Sequence, residues 1–283
     1  MIFIIATFKI KIQCRRSALF NFSGSFLRNY SHFISPIKGR ADFTIDVVSY
    51  GSFLLSSIKF LRRHGHFYYE RKGLLILKTR GAIACINTTS KKMSLGFKDT
   101  SQERKNNTVL MAFVRLAVSM CAVLKGGLPF HSSAIAFGDR GIAFSGPSGA
   151  GKSTLANMLV SPAQLLNDDY NIILPLSKKT FGIYSTPFTT KETPPKCVKR
   201  GVHLRTIFFI EKSPVNKIED LPFNKKYLRV LGQTFILSLS DFFGKKILDN
   251  AGHLCECVEC KRLCFNNDGS IRPFMYRYAG GLK

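Results

Sequence analysis

Residues 144–159 read FSGPSGAGKSTLANML. Gly146, Gly151, Lys152 and Ser153 stand in the spacing G-x-x-x-x-G-K-S, with Pro147, Ser148, Gly149 and Ala150 inside the loop and Thr154 after it. The chemistry this spacing serves is phosphate binding. Glycines let the backbone curl so that its amides converge on an anion. A helix beginning at Lys152 adds the positive end of its dipole. The Lys152 ammonium suits the outer phosphates, and the Ser153 hydroxyl suits Mg²⁺. Asp168 and Asp169 follow sixteen and seventeen residues after Lys152. They supply the two carboxylates that a phosphoryl transfer needs, one for metal and one for the incoming group. His131 is a further candidate, able to orient a carboxylate. Transfer, hydrolysis and switching all remain open from the loop alone.

These residues need elements to hold them. The apolar run before Gly146 reads as a strand, and KSTLANMLV as the helix that leaves the loop. Such a helix is about 15 Å long. The chain then returns through SPA into a strand, QLLN, expected beside the first strand by a right-handed parallel crossover. That geometry brings the acid pair to the carboxyl end of the sheet, where ligands bind. Consecutive strand residues face opposite ways, so one acid is expected toward metal and the other toward the acceptor. HSSAIAF and GIAFS, joined by the GDRG turn, are expected to form a hairpin, with His131 opening its first arm. YNIILPL, KKTFGIYST and RTIFFIEK read as further strands.

The first hundred residues carry short apolar or alternating runs: IFIIATFKIKI, DFTIDVV, GSFLLSS, HFYYE, GLLILKT and GAIACINTT. This is a strand-and-turn rhythm. The polar break SQERKNN marks a boundary, with Ser101 as a helix cap. It divides the chain into a strand-rich unit, 1–104, and a phosphate-loop unit, 105–283. A helix is expected from about Gln102 to Leu124, ending at Gly126 and Gly127. Its apolar stretch 109–124 is short for a membrane span and carries Arg115, so it reads as a buried helix and no membrane span is expected. The N-terminal MIFIIATFKIKIQC lacks the basic start and small-residue site of a signal peptide and reads as a strand. Residues 225–252 read as helical.

With 283 residues, 45% of them hydrophobic, the chain is long enough for one large or two small cores. The formal charge of +25 is extreme and favours polyanionic partners. The basic residues are spread along the chain and no nucleic-acid module is present, so the charge reads as a solvated surface and nucleic acid is not expected as a partner. The cysteines show no disulfide framework, which suits a reducing cytoplasm. Cys255, Cys257, Cys260 and Cys264, with His253 nearby, raise zinc, but C-x-C-x₂-C-x₃-C is not a pair of separated knuckles. Buried or free thiols are the preferred reading.

The order His131, hairpin, phosphate loop, short helix, strand and Asp-Asp resembles the HPr kinase-like family. HSSAIAFGDRGIAFSGPSGAGKSTLANML, LLNDDYNII, YSTPF and LRTIFFIEK carry the resemblance, over about 128–215. It is most similar to the small members associated with peptide-modifying or exosortase-type systems. The resemblance implies an α/β nucleotide domain akin to phosphoenolpyruvate carboxykinase. It implies transfer of the γ-phosphoryl group of ATP to a Ser or Thr hydroxyl of a protein or peptide. Lys152 then contacts phosphates, Ser153 and Asp169 hold Mg²⁺, Asp168 is the base and His131 supports that carboxylate. The Glu- and Gly-containing signature of longer HPr kinases is not found, and Glu192 is a weak substitute ligand. Arg205 reads as a surface arginine before a source of extra positive charge. A nucleotide-driven switch, ATPase or GTPase, and a small-molecule kinase are the alternatives. Self-association as a homo-oligomer is left open.

Overall fold

The structure is a computed structural model that describes residues 1–15, 22, 24–36, 39–53, 59, 61–63, 66–161, 163–189, 201–234 and 241–281. It is mixed α/β, with two large mixed sheets. Two compact units divide the chain, Met1–Cys121 and Ala122–Lys283. The expected division at 104/105 precedes the long helix; the observed one lies near that helix's end, so most of the helix groups with the first unit.

The first unit's sheet is built from β1 (Ile2–Ile5), β2 (Phe8–Cys14), β3 (Ile34–Ser35), β4 (Phe43–Ser49), β5 (Leu61–Arg63), β6 (His66–Arg71), β7 (Leu74–Lys78), β8 (Ala82–Asn87) and β9 (Lys92–Phe97), with the short helix α1 (Gly24–Asn29) between β2 and β3. The strand order is β3-β1-β2-β4-β9-β8-β7-β6-β5. The N-terminal run expected as one strand is a hairpin, because Ala6 takes a φ of +55° and reverses the chain. Period-two alternation buries Phe8, Ile10 and Ile12 on β2 and Phe43, Ile45 and Val47 on β4. The parallel pairing of these strands sets Ile10 against Phe43 and Ile12 against Ile45, so one face becomes core. β9, unanticipated, joins β4 to β8. Most of GSFLLSS lies outside the described residues.

Helix α2 (Glu103–Leu124) follows. Asp99, rather than Ser101, organises its start: its carboxylate accepts from the Ser101 amide at 2.9 Å and from the Gln102 side chain at 2.7 Å. The helix stops as expected at Gly126, which adopts a φ of +81°. By length and composition α2 is able to cross a membrane, yet 72% of its most apolar stretch is buried within the protein, as in a core helix.

The second unit's sheet contains β10 (Leu128–His131), β11 (Ser133–Phe137), β12 (Arg140–Ser145), β13 (Gln164–Asn167), β14 (Tyr170–Pro175), β15 (Phe181–Tyr184), β16 (Val202–Lys212), β17 (Lys217–Asp220) and β18 (Glu259–Phe265). Its helices are α3 (Lys152–Leu159), α4 (Phe223–Gln233), α5 (Asp241–Cys257) and α6 (Ile271–Gly281). The main order is β10-β14-β15-β16-β12-β11-β13, with β18 parallel to β16 and β17 on β18. The β11–β12 hairpin forms as expected. β13 is not directly beside β12, however. It pairs antiparallel with β11, so the hairpin's first arm sits between the strand entering the loop and the strand that leads to the acids. The backbone ladders favour this because β11, already hydrogen-bonded to β12, leaves its other edge open for β13.

On one face, α3 and α6 cover Phe144, Phe208, Leu263 and Phe265 with Leu155, Leu159, Ile271 and Met275. Phe144 and Phe208 stack with centroids 6.1 Å apart. β16 is buried throughout TIFFI, as an interior strand must be. Phe208 serves the α3–α6 face, while Phe209 meets Arg229 of α4, consistent with side chains alternating across the sheet.

Candidate functional site

The turn from β12 into α3 is built from residues 146–151. Gly146 has a φ of +153° and Gly151 a φ of +99°, both in the left-handed half of backbone space, where a side chain is strained. A Cβ at Gly151 would lie 3.0 Å from the Phe265 ring. Glycine is therefore needed there both for the turn and for the close approach of β18. α3 starts at Lys152 as the sequence predicts.

Lys152 is 8% exposed. Its Nζ donates to the carbonyls of Gly146 at 2.8 Å and Pro147 at 3.1 Å, folding back over the loop. Burial lowers its pKa, and the charge of Asp169 partly opposes this. Ser153 Oγ donates to the Asp168 carbonyl at 3.3 Å, and Ser133 Oγ to the same carbonyl at 2.9 Å. The helix start and the acid turn are thus held together. A cleft of about 370 Å³ is lined by His131, Lys152, Ser153, Thr154, Asp168 and Asp169, which brings the expected catalytic and metal-binding residues into one place. Ser148, Gly149 and Gly151 border it too.

The acids are not on a strand. They form the bend between β13 and β14, so strand alternation does not set their directions. Asn167 does. It is fully buried, and its Oδ1 accepts from the Asp169 amide at 2.9 Å and the Tyr170 amide at 3.2 Å. Its Nδ2 donates to the Thr186 carbonyl at 2.8 Å and to Thr186 Oγ1 at 3.2 Å. An asparagine closing its own backbone turn is a local device, anchored here to a distant segment. Asp168 is buried and accepts from Thr189 Oγ1.

His131 differs from expectation in two respects. It ends β10 instead of opening β11, and it contacts Asp169 rather than Asp168. The register of β10 on β14 sets His131 opposite Tyr170, next to Asp169. The Ser132 amide extends this ladder to the Asp169 carbonyl at 3.1 Å. His131 Nε2 therefore lies 3.3 Å from Asp169 Oδ1. Their side chains are 39% and 23% exposed, so the pair faces the cleft while Asp168 lies deeper. Ser145 Oγ donates to the His131 carbonyl at 2.9 Å, and Asn171 Nδ2 to the Ser132 carbonyl at 2.7 Å.

Asn167, Thr189, Lys212 and Asn267 join the site without having been singled out from the sequence; the last two line the cleft. The asparagines flanking the acids in NDDYN were the available signal. Arg205 lies on β16 and does not line this cleft. Glu192 lies outside the described residues.

The cysteines divide between elements, Cys255 and Cys257 on α5 and Cys260 and Cys264 on β18. Cys255 and Cys260 are buried and hydrogen-bonded to one another, which raises the Cys260 thiol and lowers that of Cys255. His253 is engaged by the Lys178 carbonyl at 2.9 Å. Among the described residues no three His, Cys, Asp or Glu side chains cluster to hold a metal.

Sheet order and site define a mixed α/β protein with a glycine-rich loop between strand and helix, faced by an acid pair. The family described as SynChlorMet cassette protein ScmC matches residues 97–247, more than half of the chain, and the chain belongs to that family. Among solved structures, the Hpr(Ser) kinase/phosphatase from Coxiella burnetii is similar at 11% identity over 54% of this chain and 93% of that one, with a TM-score of 0.31. Curated proteins give no match.

Proposed function

We propose that this chain is an ATP-dependent kinase that transfers the γ-phosphoryl group to a Ser or Thr hydroxyl of a protein or peptide. The observation that carries this reading is the single cleft shared by the glycine loop, Lys152, Ser153, both acids and His131. Loop amides, the α3 dipole and Lys152 supply the positive field for a polyphosphate. Phosphoryl transfer demands mainly positioning and charge neutralisation, and these groups serve both.

The donor set fits Mg²⁺. It offers hard oxygens, a hydroxyl and a carboxylate, without a closed protein cage, and Mg²⁺ favours such open sites completed by water and phosphate. When bound, Mg²⁺ neutralises charge on the transferring group. Ser153 and the deeper Asp168 form the metal-facing side in this reading. Asp169, reachable and paired with His131, receives the proton of the acceptor hydroxyl. This exchanges the roles that the resemblance implied for the two acids, because His131 contacts Asp169.

Incubation with γ-labelled ATP, Mg²⁺ and peptides encoded nearby, followed by mass spectrometry, tests the reading. The expected product is a peptide phosphorylated on Ser or Thr. Lys152→Ala is expected to reduce labelling by at least about 100-fold, roughly 2.7 kcal/mol of lost transition-state stabilisation. Phosphate release that is indifferent to every acceptor would favour a switch or ATPase.

A further inference from the structure

Beside the phosphate cleft lies a second cavity of about 580 Å³, a size suited to a small organic ligand. Its walls include Phe209, Glu211 and Lys212 of β16 and Arg229, Gly232 and Gln233 of α4. Ser148, Gly149 and Lys212 border both cavities, so the two are contiguous across the loop. They lie on opposite sides of β12. The acids follow β13, beyond β11, whereas the second cavity lies along β16, the other neighbour of β12. A ligand gripped by the loop at its middle reaches the acids with one end and this cavity with the other.

We propose that this cavity holds the nucleoside of the bound nucleotide and that Gln233 selects adenine through its exocyclic amine. The proposal rests on the nucleotide-transfer reading above. Gln233 Oε1 is buried and finds no donor, and a buried acceptor without a partner favours any ligand that brings an N–H to it. Arg229 stands four residues earlier, on the same face of α4. Its guanidinium is fixed 2.8 Å from Glu211 and lies over the Phe209 ring, 5.8 Å from the centroid. A planar cation so fixed is a good wall for a flat heteroaromatic base. Between them, Gly232 leaves space: a Cβ there meets nothing within 4 Å. With the Gln233 amide held as it stands, the adenine amine meets Oε1, whereas the carbonyl of guanine or hypoxanthine meets it acceptor to acceptor until the amide turns over to offer Nε2.

Calorimetric titration of the full chain with ATP, inosine triphosphate and inorganic tripolyphosphate tests this. ATP is expected to bind about tenfold or more tighter than inosine triphosphate, the worth of one such hydrogen bond. Gln233→Leu is expected to bring ATP to the inosine level and leave tripolyphosphate unchanged. Gly232→Leu places a side chain in that space, where its Cβ meets nothing within 4 Å, and raises helix propensity, so it remains informative if Gln233→Leu does not fold. It is expected to weaken ATP at least about tenfold, again sparing tripolyphosphate. Equal wild-type affinity for ATP and inosine triphosphate, or unchanged ATP binding in the folded variants, overturns the proposal. Failure of tripolyphosphate and both nucleotides to bind overturns the phosphate-site reading instead.

Discussion

Asp168 and Asp169 are adjacent in sequence yet occupy different surroundings. Asp168 is buried and takes a hydrogen bond from Thr189. Asp169 is accessible and shares its carboxylate with His131. Their substitutions should therefore separate. Asp169→Asn is expected to lower kcat by about 10²–10⁴-fold, the usual worth of a general base, with nucleotide affinity held within a few-fold. Asp168→Asn is expected to raise the Mg²⁺ concentration needed for half-maximal rate. Single-turnover rates and nucleotide titrations across a Mg²⁺ series measure both effects. If His131→Ala reproduces the Asp168→Asn profile instead of a weaker Asp169→Asn profile, the assignment of roles is wrong.

At the scale of elements, the β13–β14 bend is held by one buried side chain. Asn167→Leu keeps the branched shape but leaves the Asp169 and Tyr170 amides without their acceptor. The expected cost is about 2–4 kcal/mol in chemical denaturation. A fall in kcat larger than the fall in nucleotide affinity should accompany it, because the loop itself is untouched. A second prediction concerns β16, β18 and α4, joined by Glu211. Its carboxylate meets Arg229 and Arg262. Burial pushes its pKa up, but the two guanidiniums outweigh that and hold it below the ordinary 4.5. A lowered carboxylate contributes stability that is full above the unfolded value and is lost as pH falls through the folded one. Glu211→Gln should therefore flatten the acid side of the stability profile below about pH 4.5, read by thermal melts across a pH series. The partners are part exposed, so the effect should be modest.

For the whole molecule, 42 basic against 17 acidic residues leave a charge of +25. Repulsion among like charges works against compactness, and salt screens it. Raising NaCl from about 0.02 to 0.3 M should stabilise the fold by about 1 kcal/mol, a rise of roughly 2–4 °C in Tm for a chain of this size. A Tm that is flat or falls with salt would mean that local pairs such as Glu211–Arg262 dominate the field instead.

The loop, the start of α3 and the presence of an acid pair nearby were legible in the sequence alone. Each depends on local backbone rules: glycine where φ is positive, a helix after the loop, a short return to the next strand. The β11–β12 hairpin was legible for the same reason. Only the tertiary structure decided that β11 separates β12 from β13, that His131 meets Asp169, and that Asn167 and Thr189 hold the acids. It alone brought Arg229 and Gln233 to a cavity bordering the loop. These facts depend on ladder register and on contacts between distant segments, and no local pattern carries that information. A one-residue change of register moves a side chain to the opposite face, so the same motif residues become a different site.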